Sequence, residues 1–160
     1  MPPYILLLKL KKNRFVKKPL KNFWIKLNIS EKRTPRWTTL HCAALRGHVD
    51  TARLLLDCCA ALDVNGSNLS GHTPLHKAAQ AGQAELLQLL LERGADVQAR
   101  NKRQRTALHL AASRVDGLSC IEKLLSSGAD VRARDADGRT ALHVLAVYGR
   151  ISEAAALVNS

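Results

Sequence analysis

The chain has 160 residues and a formal net charge of +12 at pH 7, from 25 Lys and Arg against 13 Asp and Glu. This length suits a single domain with its own core. With only 4% aromatic residues and abundant alanine and leucine, the composition disfavours a β-sandwich or barrel and favours helices.

The positive charge is concentrated in residues 1–36. This segment has eleven Lys or Arg and one acid, a net charge of +10, which leaves fourteen against twelve, or +2, for residues 37–160. We predict that residues 1–36 form a basic arm, either disordered or an atypical cap. Four roles stay open for it: nuclear import, attraction of a polyanion, an amphipathic membrane-surface helix interrupted by Pro19, or none. No apolar run approaches the roughly 18 residues of a membrane span, so we expect no membrane insertion.

A four-residue pattern recurs through the rest of the chain at steps of 35, 33 and 34 residues. Its copies are Thr38-Thr39-Leu40-His41, Thr73-Pro74-Leu75-His76, Thr106-Ala107-Leu108-His109 and Thr140-Ala141-Leu142-His143. In the second copy, Thr73 is suited to cap a helix and Gly82 to end it. A second, leucine-rich helix follows, and Gly94 fits the left-handed position that closes it. The repeat predicts helical hairpins that bury their apolar faces only by stacking on one another.

Two stretches carry a resemblance to a known family. "GHTPLHKAAQAG" (71–82) and "LLLERGADV" (89–97) are close to the pattern of the ankyrin repeat. The resemblance covers residues 37–160 and implies repeats at about 37–70, 71–103, 104–137 and 138–160, the last one incomplete. It implies an all-α repeat solenoid of stacked ankyrin helix-loop-helix units with short β-hairpin loops. Arrays of this kind are generally non-enzymatic protein-binding surfaces that need no cofactor.

The chain departs from the family pattern in three of its repeats. Repeat one has Thr39 where proline is usual and ends in Cys58-Cys59-Ala60-Ala61, about two residues too long. Repeat three has an extra residue between its helices, near residues 115–119. Repeat four stops inside its second helix, and we interpret it as a truncated or degenerate end. Trp37 is well placed to cover the open apolar face of repeat one.

The four tetrad histidines invite a metal-binding interpretation, but their spacing argues against it. Neighbouring helices pack about 8–10 Å apart, too far for their histidines to share a zinc ion, whose bonds are about 2 Å long. The resemblance implies instead that each histidine hydrogen-bonds locally and joins its loop to the next helix. The cysteines show no metal or redox spacing, and we expect small buried thiols in a reducing compartment; they are Cys42, Cys58, Cys59 and Cys120. We predict no catalytic, cofactor-binding or metal site, because no known catalytic motif is present.

The resemblance also implies where a partner binds: at the hairpin tips and on the exposed face of each first helix. The basic tip candidates are Arg100, Lys102, Arg103, Arg105, Arg132, Arg134 and Arg139. The first-helix candidates are Arg46, Lys77, Gln80, Arg114, Val147 and Tyr148. Asn65, which follows Val64, matches the asparagine that is hydroxylated in some arrays of the family. An ordinary turn residue is the alternative interpretation of Asn65.

These features favour a non-enzymatic adaptor or scaffold that binds a protein partner with an acidic surface. The alternative is a nuclear regulatory protein that associates with nucleic acid or another polyanion through its basic arm. We expect a monomer located in the cytoplasm, the nucleus or both. The basic stretch "ARNKRQRTALH" (99–109) lies between repeats two and three. It is predicted to be an electropositive tip that speeds encounter with the partner and adds little to stability.

Overall fold

In the part of the chain that the structure describes, four pairs of helices follow one another. The structure, a computed structural model, describes residues 38–59 and 62–159, so the predicted basic arm and Trp37 lie outside the described residues. The pairs are α1 (Thr39–Arg46) with α2 (Val49–Cys58), α3 (Pro74–Ala81) with α4 (Ala84–Glu92), α5 (Ala107–Ala112) with α6 (Leu118–Ser126), and α7 (Ala141–Val147) with α8 (Ile151–Val158). The connection within each pair is short, so its two helices form a helical hairpin.

The first helix of each pair begins at the predicted threonine. The threonine side chain and the histidine three residues later cap each other's backbone N–H groups, at Thr38, Thr73, Thr106 and Thr140. This reciprocal arrangement satisfies donors that the start of a helix leaves unpaired. Gly82 ends α3 in the left-handed conformation, with φ 73°, as its position in the sequence predicts.

The second helices and connections also follow the sequence. Gly94, with φ 83°, lies just beyond α4. The connection between α5 and α6 spans residues 113–117 and is the longest of the four. It contains the extra residue predicted for repeat three. Gly117 allows this loop to fold tightly, because a Cβ there would lie 2.2 Å from the carbonyl oxygen of Ala111.

Stacking of the pairs produces two rows of helices. Helices α1, α3, α5 and α7 contact in succession, and α2, α4, α6 and α8 form the second row. Alanines such as Ala78 and Ala79 are fully buried and let the helices approach closely. Between the rows lie the large buried aliphatic side chains: Leu40, Leu75, Leu86, Leu87, Leu90, Leu108, Ile121, Leu124 and Leu145. Burying one leucine contributes about 2 kcal/mol, so the stacked core stabilises the array. The predicted all-α repeat solenoid is confirmed.

The loops between repeats differ in one detail from the expected β-hairpins. Within residues 38–59 and 62–159 the structure contains no strand. In the central loop, the N–H of Gln104 donates to the carbonyl of Asn101 at 2.8 Å, and the N–H of Asn101 donates to that of Arg105 at 3.0 Å. The chain turns within these five residues, so the loop is a tight turn with no room for a ladder.

The tetrad histidines join adjacent repeats. In each, Nδ1 accepts from the backbone N–H of its own threonine, so Nε2 must carry the ring proton that a neighbouring carbonyl accepts. The distances from Nε2 to that oxygen are 2.8 Å for His41 to His72, 2.9 Å for His76 to Arg105, and 3.0 Å for His109 to Arg139. The predicted structural role is confirmed for these three histidines, and we call the series the histidine ladder.

The ladder requires neutral imidazole rings. Burial lowers the pKa of His41, His76 and His109, because desolvation penalises the charged form. For His72, which lies beside the ladder, burial and then the charge of Lys77 lower the pKa to about 4. Protonation of a ladder ring at Nδ1 would also place a donor opposite the threonine N–H and so remove the hydrogen bond that Nδ1 accepts.

We predict that stability falls as pH drops below about 6.5, the pKa of a histidine in an unfolded chain. Below that pH the histidines of the unfolded chain bind protons, whereas the folded rings stay neutral until the pH reaches their lowered pKa values, about 4 for His72. Thermal melts followed by circular dichroism between about pH 7.5 and 4.5 should show the midpoint falling by several degrees. A midpoint that stays level across this range would contradict the neutral ladder.

A pair of substitutions separates the bridge between repeats from the helix cap. His109 caps α5 and also bridges to Arg139, whereas the exposed His143 caps α7 through Thr140. We expect His109→Gln to lower the free energy of unfolding by about 2 kcal/mol, because the half-buried carbonyl of Arg139 loses its donor. His143→Gln should cost about 0.5–1 kcal/mol, the value of a cap alone. Urea denaturation measures both, and equal losses would count against the bridge.

Candidate functional site

Three loops between successive repeats form one row, which we call the tip edge: residues 68–72, 101–105 and 135–139. Each loop begins with an Asn or Asp whose Oδ1 accepts the N–H groups two and four residues later. The donors are Ser70 and His72 for Asn68, Arg103 and Arg105 for Asn101, and Asp137 and Arg139 for Asp135, at 2.9–3.0 Å. These side chains satisfy the turn's own donors and therefore fix its backbone.

Backbone hydrogen bonds join each loop of the tip edge to the next. The N–H of Lys102 donates to the carbonyl of Ser70 at 3.1 Å, and the N–H of Ala136 donates to that of Arg103 at 2.9 Å. The first contact depends on Gly71, because a Cβ there would lie 2.8 Å from the Lys102 nitrogen. The three loops therefore form one continuous surface.

A buried carboxylate lies between two of the predicted binding arginines. Asp135 has a side chain only 1% exposed, and its Oδ2 lies 3.2 Å from Nε of Arg105 and 3.4 Å from Nε of Arg139. Burial opposes ionisation of Asp135, but hydrogen bonds from the backbone N–H groups of Arg139 and Asp137 and from the Arg105 side chain outweigh it. The pKa of Asp135 therefore lies below its usual value. Through this carboxylate Arg105 joins its loop to residues 135–139, whereas the contact of Arg139 with Asp135 lies within that one loop.

Two further arginines of the set are hydrogen-bonded to the protein backbone. A terminal nitrogen of Arg100 donates to the carbonyl of Arg134 at 2.9 Å, and one of Arg134 donates to that of Gly138 at the same distance. Both side chains are exposed on the surface. Each guanidinium has further N–H donors, so these exposed residues combine a local structural contact with an accessible charge.

The remaining three tip candidates project freely. Lys102, Arg103 and Arg132 are exposed, and their side chains make no hydrogen bond or ion pair with another described residue. Lys102 and Arg103 occupy the apex of the central loop, whereas Arg132 lies outside the tip edge, just ahead of the third loop. These three cations have the greatest freedom to meet a partner.

The first-helix candidates differ widely in exposure. Arg46 and Gln80 are exposed, Val147 is 75% exposed and Tyr148 is 55% exposed. Lys77 is only 9% exposed, and its ammonium donates to Gln80 at 2.9 Å. Burial lowers the pKa of Lys77. Arg114 is half-buried against the neighbouring connection, where its Nε lies 3.4 Å from the position of a Cβ on Gly82.

Asn65 makes a contact between repeats that the sequence argument missed. Its amide nitrogen donates to the carbonyl of Gly94 at 3.2 Å, and its Oδ1 accepts from the N–H of Asp96 at 2.8 Å. Gln98 repeats the arrangement one step later with Gly128 and Asp130. The step of 33 residues between the two amides is the pattern that identifies it in the sequence. The hydroxylation of Asn65 stays a prediction.

The structure places the cysteines differently from the sequence expectation. Only Cys120 is buried; Cys42 and Cys59 are half-buried and Cys58 is exposed. Cys58 is the last residue of α2, beyond the part of that helix that packs on the core. Burial raises the pKa of the Cys120 thiol.

No group of three or more His, Cys, Asp or Glu side chains within residues 38–59 and 62–159 is arranged to hold a metal ion. In the same residues, no helix has both the length and the apolar character of a membrane span.

Comparisons with known proteins give one family. A family model described as ankyrin repeats in three copies matches residues 9–101, and a second, described as ankyrin repeats in many copies, matches residues 90–145. Protein phosphatase 1 regulatory subunit 12A of Mus musculus is 36% identical over 80 residues, which are 50% of this chain and 8% of that protein. The Rattus norvegicus protein gives the same values.

A third relative carries a different name. Delta-latroinsectotoxin-Lt1a of Latrodectus tredecimguttatus is 38% identical over 66 residues, 41% of this chain and 5% of that protein. The chain thus spans less than a tenth of the length of these curated relatives.

The buried ion pair generates a prediction that divides the basic tip. Arg105→Gln should lower the free energy of unfolding by about 1.5 kcal/mol, because the buried Asp135 loses one of its two arginine partners. Arg103→Gln removes the same charge from an exposed side chain and should cost about 0.5 kcal/mol or less. Chemical denaturation of both variants tests this difference. Equal free energies of unfolding for the two variants would mean that the ion pair of Arg105 with Asp135 contributes nothing to stability.

Proposed function

The chain belongs to the ankyrin repeat family, and from this premise we propose that it is a non-enzymatic protein-interaction module, an adaptor or scaffold. It binds a protein partner through the face formed by its first helices and through its basic tip edge. The observation that carries this proposal is the tip edge itself. Its loops are linked by backbone hydrogen bonds, and cations project from them without a structural task.

Rigid presentation supports a binding role. The side chains of Asn68, Asn101 and Asp135 fix each loop, so a partner meets a surface whose backbone needs little further ordering. A preorganised surface loses less conformational entropy on association. Function resides in loops carried by a rigid scaffold in many folds, and this arrangement matches that division.

The comparisons support a non-catalytic role. Two of the relatives are, by name, regulatory subunits of a protein phosphatase. The aligned region is a small part of each of them, so their partner is not assigned to this chain. We propose only that this array, like a regulatory subunit, acts by binding another protein and needs no cofactor.

The charge of the tip edge indicates the chemistry of the partner. Lys102 and Arg103 of the tip edge, and Arg132 just ahead of its third loop, are available to meet carboxylates, and the proposed partner therefore has an acidic surface. The first-helix face supplies the rest of the proposed interface, with the predicted contacts Arg46, Lys77, Gln80, Arg114, Val147 and Tyr148. Tyrosine and arginine are residue types that often dominate binding energy. We further propose a monomer that acts in the cytoplasm, the nucleus or both.

A second candidate function rests on the basic arm. Residues 1–36 carry a net charge of +10, which suits association with nucleic acid or another polyanion. On this alternative the protein is a nuclear regulatory factor, and the repeats position the arm. The two candidates differ in how strongly salt weakens binding.

The test uses the full chain and two variants with equal loss of charge. Proteins captured from a cell extract are identified, and their association with the chain is followed by surface plasmon resonance. Lys102→Gln with Arg103→Gln should slow association about threefold or more, because complementary charge steers encounter. The control, Arg53→Gln with Lys123→Gln, removes two charges from the second helices and should change the rate little.

Three outcomes decide between the candidates. A captured protein that responds to the tip variant and not to the control supports the adaptor. Equal rates for the two variants, or no captured protein, contradict it. Binding to duplex DNA that falls with salt at a slope of about −0.9 per phosphate contacted would favour the second candidate.

A further inference from the structure

One residue at the apex of the central loop has a backbone conformation that its side chain disfavours. Gln104 has φ 58°, and it is the one non-glycine residue with positive φ among those described. The equivalent positions of the other two loops of the tip edge are Gly71 and Gly138, with φ 76° and 75°. The fold therefore repeats a left-handed position that is normally given to glycine, and here a glutamine occupies it.

The side chain of Gln104 makes no contact that offsets this backbone strain. It is exposed, and its amide makes no hydrogen bond with any other described residue. A glycine would fit the same turn, since Gly138 holds the equivalent position with open space around it. Strain without internal compensation is typical of positions that act on something outside the chain.

The apex is held rigidly by both neighbouring loops. The N–H of Arg103 donates to Oδ1 of Asn101 at 2.9 Å, and its carbonyl accepts from Ala136 at 2.9 Å. Lys102 is tied to Ser70 on the other side at 3.1 Å. The three exposed polar side chains of residues 102–104 therefore project from one backbone segment that hydrogen bonds hold in place.

We infer that residues 102–104 form a carboxylate-binding site for an acidic segment of a protein partner. Lys102 and Arg103 supply the charge, and the side-chain amide nitrogen of Gln104 donates a hydrogen bond to a carboxylate oxygen. This inference deepens the proposed function and rests on it. It assigns to Gln104 a contact that the glycine of the other two loops is unable to make.

The surroundings favour separate carboxylates over a continuous phosphate backbone. Asp137, in the next loop, has a side chain that is 66% exposed and forms an ion pair with Arg139. A nucleic acid following the tip edge would bring its phosphates close to this carboxylate. A peptide can instead place its acidic residues at the apex and other side chains beside Asp137.

The first test removes the strain and the contact together. The probe is a fluorescein-labelled peptide of eight glutamates, titrated into the full chain and followed by anisotropy. Gln104→Gly should raise the thermal midpoint by about 3 °C and weaken binding of the probe about threefold. Arg103→Gln should weaken binding about fivefold, whereas Arg53→Gln, on α2, should change it less than about twofold.

The second test separates stability from binding. Gly149 lies between α7 and α8 with φ 65° and open space around it, far along the chain from the apex. Gly149→Gln should introduce similar strain, lower the thermal midpoint by about 3 °C and leave affinity for the probe unchanged. The double variant Gln104→Gly with Gly149→Gln should melt near the wild-type midpoint and still bind weakly.

Carbodiimide coupling locates the bound probe. It joins an amine to a carboxylate only when the two are in contact, so mass spectrometry should find a link between Lys102 and a glutamate of the peptide. Links confined to lysines of residues 1–36 would overturn the inference, as would unchanged affinity in Gln104→Gly or no binding of the probe. Preference for duplex DNA over the peptide, lost in Arg103→Gln, would also overturn it.

The proposed function can survive this failure. A captured protein partner that binds Gln104→Gly as tightly as wild type, yet loses association rate with the Lys102 and Arg103 double variant, rejects the apex site and keeps the adaptor. Loss of every protein partner rejects both.

Discussion

The bridge from a tetrad histidine to the next repeat, made by His41, His76 and His109, is the interaction on which the structure depends. Stacked leucines and alanines stabilise the array, but apolar contact is non-directional and permits neighbouring pairs to slide. The hydrogen bond from Nε2 of His76 to the carbonyl of Arg105 has one geometry and therefore fixes the register of one pair on the next. Since the same ring caps its own helix, helix start and loop position are set together.

This constraint explains why the loops form one edge with a constant spacing. The carbonyl that each histidine reaches belongs to the last residue of a tip-edge loop: His72, Arg105 or Arg139. The side chain of the loop's first residue, Asn or Asp, then orders the rest of the loop by accepting two hydrogen bonds from backbone N–H groups within it. Histidine, asparagine and aspartate side chains order each loop together with backbone groups, so the side chains of residues 102–104 take no part in it.

Most of the fold follows from the sequence, because its determinants are local. The threonine, histidine and glycine positions specify caps within a few residues, and the period reveals the stacking. What the sequence leaves open depends on contacts about 30 residues apart: the pairing of Arg105 with buried Asp135, and the amide of Asn65 reaching Asp96. Basic residues in one cluster look alike in sequence, and only burial of their neighbours separates structural arginines from available ones. The exposure of Cys58 has the same origin, since helical periodicity does not show where packing ends.

Structure and electrostatics of the tip edge are therefore linked through one carboxylate. Asp135 neutralises part of the charge of Arg105 and Arg139 while it fixes the third loop, so these two arginines serve the fold first. The field that a partner meets then comes mainly from the cations that have no such neighbour, and the strongest local cluster of them is the central apex. That apex is also where the backbone departs from the glycine used by its neighbours. Residues 102–104 thus combine two charges that have no ion-pair partner in the described structure with a strained backbone that no internal contact of Gln104 offsets. Binding of another molecule at the apex would account for both features.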